Sequence, residues 1–582
     1  MKANIQDNKK WWIRCTVLFA SQLVILLLMI VTGRLVYVMN DDTTMIAIAS
    51  GGYGSPSEYV INLHMLLGYV LKYLFTICNK VNWVTVVFLF SDMLSVFVLD
   101  MVFVEEKSDK ISFWPSIIAL DLALFLVLSR FTFTVVAYWA GIAGFVGITY
   151  VSIKWKACKH RTVIGIFAVI AFVFCLLIRA ETIKSLLIVY MACIIAVWVY
   201  KKNWAPLFIA VAAFCLMSLS IKSHFLLSDL NPVQKEFLSW GETRSAATDC
   251  AAVPYDEAKF AEYGITYNQY LAIYNVFYYN FDNVDTDVME ALIELNNPLN
   301  KYDFDIMGML KEHFSVWTSL EKLLSYRSVY RIIFASVCLF YLCVGSRKDA
   351  VFVLLTWCCT IAAEFVFYFI RRALYRVLMP TYLLAIVLIL LCCNIDPQKE
   401  FKLSMAGISL KKILMTLTVL LACGSVVVYQ HHGYNAWKYS ETERAVLDYM
   451  AENNDKVFLV GDIEVFGISR ADSVWNHPGK RGIWNLIGNW ETYSVPYFEL
   501  MEKQGIQNPY DVLREAVDND RILLLTKLGD DFPASRSWIL DLVEENYGIT
   551  VEFEKVEDIS QTIHRDGVND WATYKLVTKE VQ

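Results

Sequence analysis

The chain has 582 residues, of which 57% are hydrophobic and only 19% are charged, and its mean hydropathy is +0.44. This apolar share exceeds that of ordinary globular domains and predicts that much of the chain lies in a membrane. The net charge of -7 is modest, so nucleic acid is not an expected partner. Most of the fourteen cysteines fall within apolar runs. Their spacing predicts neither a disulfide framework nor a C-x-x-C metal site.

Apolar runs long enough to cross a bilayer as helices occur about eleven times along the chain. They lie near residues 13–38, 83–104, 111–129, 131–153, 162–178, 182–200, 204–221, 330–346, 350–370, 377–394 and 411–429. Basic residues precede the first run, as in a signal peptide, but the run lacks a small-residue cleavage site. We therefore interpret it as an uncleaved helix.

Basic residues in alternate connections predict the orientation of the spans. These connections carry Lys107 and Lys110, Lys154 to Arg161, Lys201 and Lys202, Arg347 and Lys348, and Lys399 to Lys412. Because basic connections normally face the cytoplasm, this pattern predicts a multi-pass protein of the cell membrane with a cytoplasmic amino terminus. The segment 63–78 has a polar stripe at four-residue spacing, which favours an amphipathic helix at the membrane interface over a further span.

Four regions follow from this topology. Residues 1–221 form an amino-terminal membrane module, whose acidic first outer loop is 39–82, and residues 222–328 form a large, mainly helical extracytoplasmic loop. Residues 329–429 form the last spans, and residues 430–582 form a soluble extracytoplasmic domain. Its pattern predicts an α/β domain, with strands near 457–460, 521–526, 549–553 and 571–577 and helical patterns near 496–517 and 535–546.

Two adjacent acids, Asp41 and Asp42, follow the first span and precede the glycine-rich turn 51–56. Such a pair can supply a general base, a ligand for a divalent metal, or both, and the turn lets backbone approach a substrate. Tyr53 in that turn and His64 beyond it are the candidates for substrate contact. The alternative is structural, because Asp and Thr are favoured at the start of a short helix.

Arginines at the outer ends of the spans form a second set of candidates: Arg130, Arg179, Arg371, Arg372 and Arg376. Basic residues are normally sparse on that side of a membrane. Arginine binds phosphate through a planar, bidentate fork, so a lipid-linked phosphate explains them. The alternative is that they extend to lipid headgroups or pair with nearby acids.

Polar residues elsewhere give weaker signals. Asp92, Asp121 and Glu364 lie within predicted spans, where they line an ion path or form buried contacts between helices, and Glu364 has a possible partner two helical turns later in Arg371. A further set has two interpretations, contact with a sugar or packing of a small domain: Arg244, His313 and the aromatic-rich run 475–484.

Four stretches resemble a group of bacterial multi-span proteins: Asn40-Asp-Asp-Thr-Thr-Met-Ile-Ala-Ile-Ala-Ser-Gly51, Phe131-Thr-Phe-Thr-Val-Val-Ala137, Ile178-Arg-Ala-Glu181 and Arg372-Ala-Leu-Tyr-Arg-Val377. More broadly, the arrangement resembles the GT-C superfamily, integral-membrane glycosyltransferases that use polyprenyl-phosphate-linked sugars. The plan of that superfamily is a cytoplasmic amino terminus, an acidic first outer loop with an interfacial helix, a helical bundle and often a soluble outer domain at the end.

The resemblance implies a helical polytopic membrane bundle with a carboxy-terminal extracytoplasmic α/β domain. It implies transfer of a sugar from a polyprenyl-phosphate donor to a cell-surface glycan or protein acceptor. In the superfamily the acid of the first outer loop is the base, which implies Asp41 or Asp42, and arginines near the outer surface bind the donor phosphate. No cofactor is required by the sequence, although the acidic pair permits a divalent metal. No oligosaccharyltransferase WWD-type motif is present, so an asparagine acceptor is not expected.

Two other classes of function compete with a transferase. A transporter or flippase of a lipid-linked sugar or another anionic substrate would use Asp92, Asp121 and Glu364 as coupling residues. Transporters commonly contain inverted repeats and broken helices, and the sequence shows neither. A non-catalytic scaffold for envelope assembly would instead present the carboxy-terminal domain to a partner.

Overall fold

A computed structural model gives the fold of the chain. It describes residues 2–108, 110, 112–249, 253–300, 306–315, 329–370, 373–395, 440–461, 473–481, 486–487, 491–527, 534–559 and 571–579. The described helices are, in chain order, α1 (Lys2–Val31), α2 (Asn40–Ser50), α3 (Met65–Ile77), α4 (Trp83–Lys107), α5 (Phe113–Leu128), α6 (Phe133–Ile153), α7 (Arg161–Arg179), α8 (Thr182–Lys201), α9 (Ala205–Ser228), α10 (Pro232–Thr248), α11 (Glu257–Ala261), α12 (Tyr267–Tyr274), α13 (Thr286–Asn300), α14 (Ile306–Ser315), α15 (Val329–Val344), α16 (Arg347–Phe369), α17 (Tyr375–Cys392), α18 (Ser440–Glu452), α19 (Pro478–Arg481), α20 (Val495–Gln504), α21 (Val512–Glu515) and α22 (Ser537–Tyr547). The described strands are β1 (Val457–Leu459), β2 (Leu486–Ile487), β3 (Ile522–Lys527), β4 (Val551–Asp558) and β5 (Trp571–Thr578).

The chain forms two compact units, each assembled from three separate segments. The bundle unit contains residues 1–36, 86–223 and 305–435. The α/β unit contains residues 37–85, 224–304 and 436–582. Residues from the first predicted outer loop, the large loop and the tail thus belong to one compact unit.

Membrane-spanning helices are confirmed, although their predicted number is not. Within the described ranges, eight helices are long and apolar enough to cross a membrane: α1, α4, α6, α7, α8, α9, α16 and α17. The predicted spans at α5 and α15 are apolar helices of 16 residues each, shorter than these eight. The last predicted span, 411–429, lies outside the described residues. The protein is therefore mostly helical and has the character of a multi-pass membrane protein.

The first span ends earlier than the predicted residue 38. Helix α1 ends at Val31, and Gly33 then adopts a φ of 66°, in the left-handed region that glycine tolerates. The backbone N–H groups of Arg34 and Leu35 both donate to the Met29 carbonyl. The apolar residues after Gly33 extend the hydropathy pattern without extending the helix.

Close packing in the bundle unit depends on glycines of α6 at three-residue spacing. A Cβ atom at Gly144 would lie 2.7 Å from the Phe172 side chain, and one at Gly147 would lie 2.6 Å from the Ala168 side chain. Phe172 and Ala168 both belong to α7. The glycines therefore let the two helices approach closely, as small residues do in membrane bundles, where van der Waals packing stabilises helix association.

The carboxy-terminal part of the α/β unit contains a five-stranded sheet in the order β2-β1-β3-β5-β4. Strands β2, β1 and β3 are parallel, whereas β5 pairs antiparallel with β3 and β4. The four predicted strands are confirmed, and β2, only two residues long, was not predicted. The predicted helix 496–517 is instead two helices, α20 and α21, because Gly505 has a φ of 73° and ends α20.

The first-loop segment of the α/β unit contains two short helices, α2 and α3. Helix α2 ends at Gly51, whose φ of 85° leads into the glycine-rich turn. A Cβ atom at Gly68 of α3 would lie 2.1 Å from the Glu58 carbonyl oxygen, so this position requires glycine. The 13 residues of α3 extend only about 20 Å, too short for a bilayer core of about 30 Å.

Helix α3 exposes an apolar face, which differs from the predicted polar stripe. Its exposed large side chains are Leu66, Tyr69, Val70, Tyr73 and Ile77. The polar positions have contacts within the α/β unit: His64 is buried, and the Lys72 ammonium forms an ion pair with Glu58 at 2.5 Å. The helix is amphipathic, and its exposed face suits a lipid surface better than water.

Candidate functional site

The acidic pair of the first loop lies at the start of α2. Met39 occupies the N-cap position, so Asp41 and Asp42 are in the first turn and neither is the cap. Negative charge there is stabilised by the helix dipole, by about 0.3–1 kcal/mol at an exposed site. Asp42 is fully buried, whereas Asp41 is partly exposed. The structural interpretation of the pair thus accounts for its helical position but not for the burial of Asp42.

Tyr53, a predicted substrate contact, instead bonds a buried acid of the tail. Its hydroxyl donates to Glu491 Oε1 at 2.6 Å. Both side chains are nearly inaccessible, at 2% and 3% exposure. Glu491 Oε2 is also buried and has no hydrogen-bond partner among the described residues. A buried carboxylate oxygen without a donor costs free energy, so this arrangement needs a reason beyond packing.

Arg244 of α10 supplies the positive charge near these acids. Its side chain is buried, and the guanidinium carbon lies 5.6 Å from the centroid of the Trp240 ring. Burial lowers the pKa of Arg244, whereas the nearby groups Tyr278, Asp249, Asp41 and Glu491 raise it. The side chains of three separate segments, from α2, α10 and the tail, therefore interact electrostatically within the α/β unit.

The Glu491 carboxyl titrates near neutral pH. Burial raises its pKa from 4.5 to about 7. The hydrogen bond from Tyr53 and the charge of Arg244 lower the pKa, whereas the negative charge of Asp41 raises it. Perturbed carboxyls of this kind occur often at catalytic sites, because a base works best when its pKa is near the working pH.

The tail segment 473–481 contacts the first-loop segment closely. The Asn82 side-chain amide donates to the Val474 and Asn476 carbonyls, both at 2.9 Å. A Cβ atom at Gly479 would lie 2.1 Å from the Ser50 carbonyl oxygen at the end of α2. These contacts join the helix that carries Asp41 to the aromatic-rich run of the tail. The contacts shown for this run are packing and hydrogen bonds within the unit, and contact with a sugar stays a prediction.

His64, the second predicted substrate contact, has a structural role in the fold. It is the N-cap of α3, and its Nδ1 accepts a hydrogen bond from the Leu66 N–H at 3.1 Å. His224 Nδ1 accepts from the next backbone N–H, that of Met65, at 3.3 Å. The two histidines therefore satisfy amide donors at the start of α3, and contact of His64 with a substrate stays a prediction.

Among the predicted arginines, Arg130, Arg179 and Arg376 are described, and they belong to the bundle unit. Arg179 Nη1 donates to the Thr134 hydroxyl of α6 at 2.7 Å, and its guanidinium carbon lies 5.0 Å from the Phe133 ring centroid. The Arg130 guanidinium carbon lies 5.4 Å from the ring centroid of Tyr375, the residue before Arg376. Arg130 and Arg179 are thus near the start of α6, and Arg130 is near the start of α17.

Other predicted residues lie outside the description. Arg371 and Arg372 are not among the described residues, and neither is Trp484. His313 belongs to α14, but the structure does not describe its side chain. Their predicted roles stay predictions.

The intramembrane acids have varied surroundings within the bundle unit. Glu364 accepts hydrogen bonds from Arg331 at 2.5 Å, from Tyr368 at 3.1 Å and from Tyr382. Its sequence-predicted partner, Arg371, is not described. The Gln22 amide donates to Asp100 at 3.1 Å and to Asp121 at 3.3 Å.

Asp92 of α4 is also buried, and neither of its carboxylate oxygens has a hydrogen-bond partner in the part of the chain that the structure describes. Glu364 is thus held in a dense network that includes a cation. The intramembrane aspartates have fewer described donors.

Among the described side chains, no group of three or more histidine, cysteine, aspartate or glutamate residues is arranged to hold a metal ion. A two-carboxylate site at Asp41 and Asp42 stays a prediction. No protein-family model, curated protein or solved structure matches the chain. The assignment of function therefore depends on the chemistry of these residues.

No motif in the sequence marks Glu491 as a candidate. The sequence around Arg244 indicates either contact with a sugar or packing of a small domain. The available signal was a single acid in an aromatic stretch, between Trp490 and Tyr493. Its significance depends on partners 247 and 438 positions away, at Arg244 and Tyr53, which sequence periodicity cannot pair.

Proposed function

We propose that the protein is a membrane glycosyltransferase of the GT-C type. It transfers a sugar from a polyprenyl-phosphate donor to a hydroxyl of a cell-surface glycan or protein. In the simplest mechanism, Asp41 or Asp42 takes the proton of the acceptor hydroxyl. The arginines of the bundle unit bind the lipid phosphate and stabilise the charge that develops on it as the sugar leaves.

The observation that carries this proposal is a polar cluster in the α/β unit, formed by the buried Glu491, Tyr53 and Arg244 with the partly exposed Asp41. Two carboxyls whose charges interact, one with a pKa near 7, are suited to move a proton at neutral pH. A scaffold has no need for a buried carboxyl with an unsatisfied oxygen. The cluster therefore favours an enzyme over a non-catalytic scaffold.

The bundle unit supplies the support for a lipid-phosphate donor. Arg130 and Arg179 contact aromatic rings near helix ends, and Arg179 also bonds a threonine hydroxyl, so their guanidinium groups are held in place. Guanidinium groups with restricted rotamers lose less entropy when they bind a phosphate. A lipid-linked phosphate fits this chemistry, since the same unit is built of apolar helices.

The first test follows transfer in proteoliposomes containing radiolabelled polyprenyl-phosphate glucose, galactose or mannose, with an envelope extract as acceptor. Asp41→Asn and Asp42→Asn are compared with the wild type, and conversion of lipid-soluble label into water-soluble product is measured. We expect at least one variant to lose 10²-fold or more of the rate, the usual range for a base. Asp287→Asn is the matched control, because Asp287 is exposed in the first turn of α13. Full activity in both variants would refute the role of the acidic pair.

The arginines are tested by Arg179→Lys and Arg376→Lys, which keep the charge but remove the bidentate fork. We expect the KM for the lipid donor to rise in these variants. An unchanged donor KM would contradict the phosphate role. A divalent metal at Asp41 and Asp42 is tested separately with a chelator, and an unchanged rate after chelation removes the metal from the mechanism.

The competing function is transport of a lipid-linked sugar or another anion, with Asp92, Asp121 and Glu364 as coupling residues. Movement of the labelled lipid across the vesicle membrane without covalent product would favour the transporter. Glu364 fits that role poorly, because Arg331 and two tyrosine hydroxyls already donate hydrogen bonds to both of its oxygens.

A further inference from the structure

Glu491 is the buried acid of the α/β unit that the proposed mechanism does not yet use. It comes from the tail, three residues before the Ser494 cap of α20, yet its Oε1 is bonded to Tyr53 of the first loop. Its Oε2 is buried and has no donor among the described residues. One oxygen is thus fixed in position, and the other keeps its capacity to accept a hydrogen bond.

We propose that Glu491 Oε2 receives the proton of the acceptor hydroxyl and that Asp41 holds this hydroxyl by accepting its hydrogen bond before transfer. This inference rests on the proposed glycosyltransferase function and changes which carboxyl is the base. It makes the tail a contributor of a catalytic residue rather than an accessory domain.

The chemical step balances without a further reactant. The O–H bond of the acceptor breaks, and its proton moves to Glu491 Oε2. The acceptor oxygen forms a bond to the anomeric carbon of the sugar. The bond between that carbon and the phosphate oxygen of the polyprenyl donor breaks, and its electron pair stays on the phosphate.

Among the described groups, Tyr53 after α2, Asp41 on α2 and Arg244 on α10 act on the protonation of Glu491, together with its own backbone N–H. Burial raises the pKa of Glu491 to about 7, well above the 4.5 of an ordinary glutamate. At neutral pH a large fraction is therefore ionised and ready to take a proton, and the conjugate acid is weak enough to make the transfer favourable. An ordinary carboxylate is ionised but a much weaker base.

Each neighbour shifts this pKa in a known direction, which gives the proposal a signature in the pH dependence of the rate. The rate of a base-dependent step rises with pH through the pKa of the base. Tyr53→Phe removes a hydrogen bond that lowers the pKa of Glu491, so the rise moves to higher pH. Asp41→Asn removes a charge that raises the pKa, so the remaining activity rises at lower pH than in the wild type.

The experiment measures the pH dependence of conversion of radiolabelled polyprenyl-phosphate glucose, galactose and mannose by the full-length protein in proteoliposomes. Wild type is compared with Glu491→Gln, Glu491→Asp, Tyr53→Phe and Asp41→Asn between pH 5 and 9. We expect Glu491→Gln to lose 10²-fold or more of the rate and the rise near pH 7. Glu491→Asp keeps a carboxyl and recovers part of the rate, with a shifted rise.

Glu499→Gln is the matched control. Glu499 lies in α20 of the same tail segment, and its Oε2 accepts from Ser55 of the same glycine-rich turn at 3.4 Å. We expect this variant to keep the rate and the pH profile of the wild type. Thermal unfolding of each variant in detergent identifies any loss of activity that comes from misfolding, and the pH shift in Tyr53→Phe tests the assignment where Glu491→Gln is unstable.

The outcomes distinguish the role of Glu491 from the proposed glycosyltransferase function. No conversion by the wild type with any of the three donors overturns the proposed function and the inference together. Conversion with an unchanged rise near pH 7 in Glu491→Gln, or an unmoved rise in Tyr53→Phe, overturns the role of Glu491 and leaves the transferase standing.

Discussion

Two buried glutamates, one in each compact unit, differ in how their oxygens are satisfied. In the bundle unit, Glu364 is fully buried, and its carboxylate accepts hydrogen bonds from Arg331, Tyr368 and Tyr382. Both of its oxygens have a donor, and one donor carries a positive charge. These hydrogen bonds link three helices, α15, α16 and α17.

In the α/β unit, Glu491 is also buried, but among the described residues only its Oε1 has a side-chain donor, the Tyr53 hydroxyl. Arg244 acts on it through its charge, and Asp41 opposes that effect. Two acids that are similarly buried thus differ in how many donors their oxygens have. The number and charge of the donors decide whether the proton can be exchanged near neutral pH.

The largest expected effect comes from removing the cation on the structural side of this comparison. Arg331→Met leaves Glu364 buried without its positive partner, which costs about 3–5 kcal/mol of stability. Thermal unfolding in detergent should show a large fall in the midpoint. The double variant with Glu364→Gln should recover much of the loss, since no uncompensated charge remains. An unchanged midpoint in Arg331→Met would show that Glu364 is not held as a buried ion pair.

Glu491 should behave in the opposite way, because its ionised form destabilises the fold. Its pKa rises from 4.5 to about 7 on folding, so the unfolded state loses the proton first as pH increases. Stability therefore falls between pH 4.5 and about 7 and is constant above, with a total change of roughly 3 kcal/mol.

Glu491→Gln lacks this titration. We expect it to be more stable than the wild type at pH 8 and to differ little from it near pH 4.5, as measured by thermal unfolding at both pH values. A variant that is less stable than the wild type at pH 8 would place Glu491 with Glu364 as a structural acid.

A backbone test addresses the scaffold that positions the first-loop acids. In Gly68→Ala, the new Cβ atom would meet the Glu58 carbonyl oxygen at 2.1 Å, so the turn and α3 must shift. Overpacking of this kind costs about 1–3 kcal/mol. Gly241→Ala in α10 is the control, because a Cβ atom there meets nothing within 4 Å and alanine favours a helix. Equal stability of the two variants would contradict the close contact at Gly68.

The smallest effect is expected at an exposed ion pair, which completes the comparison with Arg331 and Glu364. The Lys72 side chain is 42% exposed and pairs with Glu58 at 2.5 Å. Lys72→Met should cost less than about 1 kcal/mol, because water and salt screen exposed charges. The unfolding midpoint should change little and should lose its salt dependence. A loss as large as that of Arg331→Met would refute the distinction by burial.

Parts of the candidate site were open to prediction from local patterns. The acidic pair lies at the start of a helix, where Asp is common, and the strands near 457 and 522 follow from short apolar runs. The break between α20 and α21 is not evident from the sequence, because the helical pattern continues through Gly505. The left-handed φ of this glycine is visible only in the structure. Tyr53 bonds a residue far away in the chain, whereas His64 caps the helix that follows it, and contact of either with a substrate stays a prediction.

The helical, membrane-spanning character of the protein follows from its amino-acid sequence alone. Long apolar runs must be helical in lipid, since every backbone donor and acceptor there needs a partner within the segment. Short apolar runs likewise predict four of the strands in the tail. These features depend on local sequence patterns, which can be read from a single sequence.

Which polar residues lie close together depends on the tertiary structure. It places Asp41, Arg244 and Glu491, from three segments of the chain, in one compact unit, and it bonds Tyr53 to Glu491. It also pairs Arg331 with Glu364 in a buried ion pair. Contacts between distant segments depend on the packing of the whole unit, and the pKa of a buried acid depends on those contacts. No local pattern contains this information.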